Sequence, residues 1–238
     1  MATILRLTLK SAIRNPFLLF WSIILPVGGT VGAGIFINSH DYSKQIVTGM
    51  MAVSILFYGF MTTSFAILTQ RRRGVYHLLR VTPLPLWQYI CSISGAWTLI
   101  SLMCALLVLL SGIFILDLSI SIPCFLALIP LLIAVALSYI FFGFFIASLC
   151  HTENNVSLLT NIITMPLLIC SSAFYSLDNT LGWIQTINRL NPFQWFINGL
   201  RSAFDLRWDS YFTNTGLVLL TAAASLLLAL KTFRYTDN

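Results

Sequence analysis

The chain has 238 residues, of which 58% are apolar and only 8% charged, with a mean hydropathy of +0.89. Soluble domains carry about 25% charged residues, so a soluble enzyme or a nucleic-acid-binding domain is excluded despite a formal net charge of +6. Spans of about 20 residues with short connections fit roughly six membrane helices. That leaves no room for a further folded domain, so residues 1–238 read as one transmembrane unit.

Residues 1–16 open with Arg6, Lys10 and Arg14 recurring every four residues, opposite Leu5, Leu9, Ala12 and Ile13. This pattern predicts an amphipathic helix in the membrane interface, its basic stripe toward lipid headgroups; ordinary charges fixing the orientation of the first span are the alternative. Charges so spread leave no h-region, and no cleavable signal peptide is expected. Span one is predicted at Phe17–Ile37, with Pro26 and a Gly28-x-x-x-Gly32 spacing that permits close approach of another helix. A polar loop, Asn38–Gln45, leads to span two at Ile46–Leu68.

Residues 70–86 follow, the most strongly charged interval in the chain. On a helix Val75, Leu78 and Leu79 fall on one side, and Arg73, His77 and Arg80 on the other. Thr82-Pro83 stops it. Such a helix either rests at the headgroups or offers a surface on which another protein pushes. Span three is predicted at Ile90–Leu116, a tight turn at Asp117–Ser121, span four at Pro123–Leu149, a polar turn at His151–Asn155 and span five at Val156–Ser172.

Residues 173–210 are too polar for a span and too aromatic for a solvated loop. Two short amphipathic helices broken at Asn191-Pro192 fit, the second with Phe193, Phe196, Ile197 and Leu200 along one face. Backbone of this kind sits at membrane depth only where protein or a water-filled cavity shields it. A re-entrant hairpin is therefore expected ahead of span six at Thr213–Leu230, an interfacial loop with an aromatic belt being the plainer alternative. Within it, Arg201 and Asp205 stand four apart and are expected to pair along the helix.

With the N-terminus inside, the inner loops hold nine Lys and Arg residues and the outer loops four, Lys44, Arg189, Arg201 and Arg207. This bias puts both termini and the charged helix in the cytoplasm. No phosphate-binding G-x-x-x-x-G-K-[ST] motif occurs. His40, His77 and His151 lie outside the spans, so no nucleophile–base pair for an intramembrane protease is available. Five scattered cysteines suggest neither a disulfide frame nor a metal site. What remains is a transporter driven from outside itself, a passive pore or a membrane scaffold.

The stretch R-R-R-G-V-Y-H-L-L-R-V-T-P-L-P-L-W-Q-Y at Arg71–Tyr89 resembles the coupling-helix region of ABC type-2 exporter permeases. The opening R-N-P-F-L-L-F-W at Arg14–Trp21 fits the same family. So does Ser171–Phe204, with its S-S-A-F-Y, L-N-P and G-L-R elements, which resembles the hairpin before the family's last span. The basic Gln70–Arg73 departs from the acidic residues that many members carry before the glycine matching Gly74.

The resemblance implies an all-α integral membrane protein of six spans that binds no nucleotide or metal itself. ATP and magnesium would sit on two copies of a cytoplasmic ABC ATPase, beneath this permease and a second, identical or related one, in a bacterial inner membrane. Arg71, Arg72, Arg73, Gly74, Val75, His77, Leu78, Leu79, Arg80, Thr82 and Pro83 would couple to the ATPase. Phe174, Tyr175, Trp183, Asn191, Pro192, Trp195 and Arg201 would line the gate or the path of a hydrophobic or amphiphilic substrate. A structural or regulatory membrane protein without transport is the alternative.

Overall fold

The computed structural model describes residues 8, 16–36, 40–74, 86–175 and 182–232. These form helices and turns, with no strand among the described residues. In chain order the helices are α1 (Pro16–Phe36), α2 (His40–Leu56), a π-helical turn (Phe57–Thr62), α3 (Thr63–Arg72), α4 (Leu86–Leu116) and α5 (Ile122–Leu149). They continue as α6 (Glu153–Ile169), α7 (Gly182–Leu190), α8 (Pro192–Phe204) and α9 (Trp208–Thr232).

Among the described residues, four segments are long and apolar enough to cross a membrane: Tyr42–Arg72, Ile90–Leu116, Ile122–Leu149 and Trp208–Thr232. They coincide with predicted spans two, three, four and six. Helices also stand at the first and fifth positions, but α6 has only 17 residues, about 25 Å of rise against a hydrocarbon core of about 30 Å. The expected loop Asn38–Gln45 is corrected: the helix of span two starts at His40, so Tyr42–Gln45 are its first turns. Of the N-terminal interfacial helix, only Thr8 and Pro16 fall within the described residues, and Pro16 begins α1.

Large apolar side chains lie open on the outside, among them Phe114, Ile122, Leu126, Ile162 and Leu220. Water would oppose so much exposed oil, whereas lipid tails accept it. In lipid, helix association rests on close packing and on polar bonds between helices, and the chain uses both. Pro26 cannot donate to the carbonyl four residues back, that of Ser22, and Ser54 of α2 donates its hydroxyl to that oxygen at 2.9 Å. One turn before Pro130, Tyr211 of α9 donates to the carbonyl of Ala127 at 2.8 Å. Ser138 and Thr221 meet at 3.0 Å further along, so α5 and α9 run parallel. In the π-helical turn the carbonyls of Gly59 and Phe60 accept the hydroxyls of Thr63 at 2.5 Å and Ser64 at 2.6 Å.

Close approach is made by glycines outside any spaced motif. A Cβ at Gly143 would lie 2.7 Å from Thr63 Oγ1, and one at Gly112 would lie 2.6 Å from Val47 Cγ2. Gly28 and Gly32, whose spacing suggested a helix contact, face nothing within 4 Å.

The tightest approach to another backbone atom is at Gly49, where a Cβ would lie 2.4 Å from the backbone oxygen of Ala173. A backbone atom cannot swing aside as a side chain can. Gly49→Ala is therefore expected to destabilise the chain by about 1–3 kcal/mol, read as a lower midpoint of thermal unfolding in detergent. Gly216→Ala, where a Cβ meets open space, serves as the control and should not lower it. Equal midpoints for the two would mean that the 171–175 segment does not pack there.

Candidate functional site

Two polar clusters stand at opposite ends of the α2–α3 rod. The first is where α3 stops. Cations suit the last turn of a helix, where carbonyls are unpaired and the macrodipole is negative, and Arg71 and Arg72 occupy it. Arg71 Nη1 points toward the carbonyls of Ala147, Ser148 and Cys150 at 3.3–3.5 Å, so its charge also caps the C-terminus of α5. Arg72 pairs with Glu153 at 3.3 Å. Both partners are at least half exposed, which limits that pair to under about 1 kcal/mol. Burial pushes the Cys150 thiol in this turn up, and Arg71 pulls it partly back.

Arg73 is exposed and caps the helix. Gly74 follows at φ 71°, its N–H donating to the carbonyl of Arg71 at 3.0 Å. That backbone region costs other L-residues about 1–2 kcal/mol, so glycine is the residue that lets the chain turn off here. The charged stretch thus does not begin as a separate helix at Gln70. Gln70, Arg71 and Arg72 belong to α3, and two of the three arginines expected to face a partner contact the α5–α6 turn. Val75, His77, Leu78, Leu79, Arg80, Thr82 and Pro83 lie outside the described residues.

The second cluster is the hairpin of α7 and α8. Helix α6 ends three residues after Pro166, leaving its last carbonyls without helical partners. Polar side chains of the hairpin take them up. Asn191 donates to Leu167 O at 2.9 Å and Cys170 O at 3.3 Å, while its own Oδ1 accepts from Phe193 N–H and caps α8. Asn188 donates to Cys170 O at 2.9 Å. Gln194 accepts from the N–H of Ser172 at 2.7 Å and donates to that residue's hydroxyl at 2.8 Å.

The strip 172–174 is held from the other side by α2. Gln45 donates to Ser172 O and Tyr42 to Phe174 O. Gly49, the residue it crosses, lies about 14 Å along α2 from His40.

Phe193, Phe196, Ile197 and Leu200 are fully buried, as the face reading predicted. Gln194, Asn198 and Arg201 form a polar stripe beside them, a pattern readable at four- and seven-residue spacing but whose partner, Ser172, gives no signal of its own. Arg201 does not form the expected pair with Asp205. Its two terminal nitrogens bond Ser172 Oγ at 2.9 Å and Ser172 O at 2.6 Å, and Asp205 is claimed by Arg207 at 2.7 Å and Lys44 at 3.7 Å. Burial draws the Arg201 guanidinium down from its ordinary range, and Asp205 offsets part of this.

Of the gate candidates, Asn191, Pro192, Phe174 and Arg201 are built into the packing, and Trp195 donates to Arg189 O at 2.8 Å. Tyr175 bonds Ile169 O, and its ring is open, as is Trp183. Between α5, α8 and α9 runs an apolar cleft of about 200 Å³, walled by Phe142, Leu167, Pro192 and Phe196.

The family model described as ABC-2 type transporter matches residues 1–204. The chain belongs to the ABC-2 type transporter family. Membrane subunits of this family are not themselves ATPases. Two curated relatives of this ABC-2 chain are the probable multidrug ABC transporter permeases YbhR of Escherichia coli K12 and of Escherichia coli O157:H7. Each is 23% identical over 191 residues, covering 78% of this chain and 52% of the relative. The ABC-2 chain therefore spans about half the length of the curated relatives it matches.

Proposed function

We propose that the chain is the six-span permease of an exporter that moves a hydrophobic or amphiphilic molecule outward across a bacterial inner membrane. A separate ATPase, present in two copies and carrying the ATP and magnesium, supplies the drive, and a second permease completes the path. What carries this reading is the continuous helix Tyr42–Arg72. One end is bonded to the segment that holds the hairpin, and the other ends in the arginine cluster, so a push at Gly74 reaches the hairpin through one body.

ATP binding closes the ATPases and displaces the segment after Gly74. The first, second and fifth spans tilt in response, and the substrate leaves beside the hairpins. The apolar cleft and the open rings of Tyr175 and Trp183 support an apolar cargo, as does the word multidrug in the relatives' names. The depth at which residues 172–174 cross Gly49 supports a re-entrant hairpin, shielded from lipid by α2 and α5.

The direct test is purification in mild detergent from the native membrane. An ATPase subunit should accompany the chain and be lost from Arg73→Glu, which leaves the Arg71 and Arg72 contacts intact. If no ATPase accompanies a permease that still holds its second copy, the exporter reading fails.

Orientation is tested separately. With Cys91 changed to serine, Ser119→Cys in the turn after α4 should react with an impermeant maleimide from outside intact cells. Labelling only after the cells are opened would invert the proposed topology.

A further inference from the structure

At the end of α2 remote from the arginine cluster lies a pocket of about 230 Å³, lined by Lys44, Gln45, Thr48, Arg201, Phe204, Asp205 and Arg207. The described lining residues bring three cations and one carboxylate together, an excess of two positive charges. Asp205 is already shared between Lys44 and Arg207. Arg201 is tied to the neutral Ser172, and no carboxylate among the described residues pairs with it. Partly buried charge without a counter-charge is costly, and an oxyanion would offset it, in part when singly charged as in a lipid phosphodiester and in full when doubly charged as in free phosphate.

The pocket is built rather than incidental. Arg207 N–H donates to Ser202 O at 2.9 Å, Leu206 takes φ 55°, and Asp205 N–H returns to Arg201 O at 2.9 Å. These bonds close the end of α8 and fix the turn that carries Asp205 and Arg207. They also occupy the carbonyls that would otherwise repel an anion.

We propose that this pocket binds a phosphate group, with Lys44 and Arg207 as its donors and Arg201 as a fixed charge behind them. Guanidinium and ammonium groups suit phosphate oxygens by charge and by directed N–H bonds. The site lies where the spans of this membrane protein end, within reach of the headgroup of an anionic phospholipid and of phosphate in solution.

The test uses the full chain in nanodiscs and follows thermal unfolding without ATP or an ATPase, so its outcome is independent of the exporter reading. One arm compares phosphatidylcholine alone with phosphatidylcholine mixed with phosphatidylglycerol. The other adds sodium phosphate to phosphatidylcholine discs, against sodium chloride of equal ionic strength.

The expected result is a midpoint raised by about 2–4 °C in one arm, abolished in the Lys44→Gln, Arg207→Gln double variant. A rise with phosphatidylglycerol assigns a lipid headgroup; a rise with sodium phosphate assigns a soluble anion. Both replaced side chains are a third or more exposed, so the variant's own midpoint in phosphatidylcholine is a sound reference. Asp205→Asn, which removes the competing carboxylate, should enlarge the shift. No rise in either arm, a rise of equal size in the double variant, or a smaller rise in Asp205→Asn overturns the proposal.

Discussion

Asn191→Ala should lower the stability of the folded chain by about 3 kcal/mol. A lost N-cap accounts for about 1 kcal/mol, and the Leu167 carbonyl stripped of its donor for roughly another 1–3, since Cys170 O keeps Asn188. For a chain of this size that is a fall of about 10 °C in the unfolding midpoint. Asn191 is buried at the break between α7 and α8 and serves three backbone groups at once. Asn191→Ser separates these roles, because a serine oxygen keeps the cap but cannot donate at the same reach to Leu167 and Cys170. Its midpoint should fall between those of the native chain and the alanine variant. A native midpoint for Asn191→Ala would mean that the end of α6 is satisfied without the hairpin.

If the chain is the proposed exporter permease, Gly74→Pro should reduce ATP-driven transport by about a hundredfold while the chain still inserts and still carries the proposed second permease. Proline is held near φ −65° and has no N–H. The 71° turn and the bond to Arg71 O are both lost. A penalty of about 3 kcal/mol at this junction would depopulate the docked arrangement by about that factor. Hydrolysis should continue, uncoupled. The measurement is ATP-dependent efflux from proteoliposomes beside phosphate release from the same sample. Gly74→Ala, which retains the N–H, should lose much less. Transport undiminished in the proline variant would remove this turn from the drive train.

The core face of α8 was legible because its signal is local: four apolar residues at helical spacing, set off by Asn191-Pro192. The partners of its polar stripe were not, because Ser172 and Gln194 stand far apart in sequence and half of their bonds use backbone atoms. The arginines illustrate the same limit. In sequence, Arg71, Arg72 and Arg73 look alike, and the acceptors that distinguish them are mostly the carbonyls of Ala147, Ser148, Cys150 and His151, which any residue would present. The Gly28-x-x-x-Gly32 spacing drew attention to the wrong glycines, since closeness is set by the atoms that stand opposite and not by periodicity. The short reach of α6 had one visible sign, Pro166, although proline alone does not say how far a helix continues.

The π-helical turn at Phe57–Thr62 sets the angle between the two clusters. A wider turn accommodates an extra residue in the same rise, so everything beyond it is rotated by roughly 100° relative to an unbroken α-helix. Tyr42, Gln45 and Gly49 face the hairpin at one end while Arg71 faces α5 at the other, and that pairing of directions depends on the added residue. The rod therefore has a phase as well as a length. If the extra residue were absorbed at a different turn, the segment between the old and new positions would rotate, and its neighbours would be exchanged with no change in the distance between the two ends.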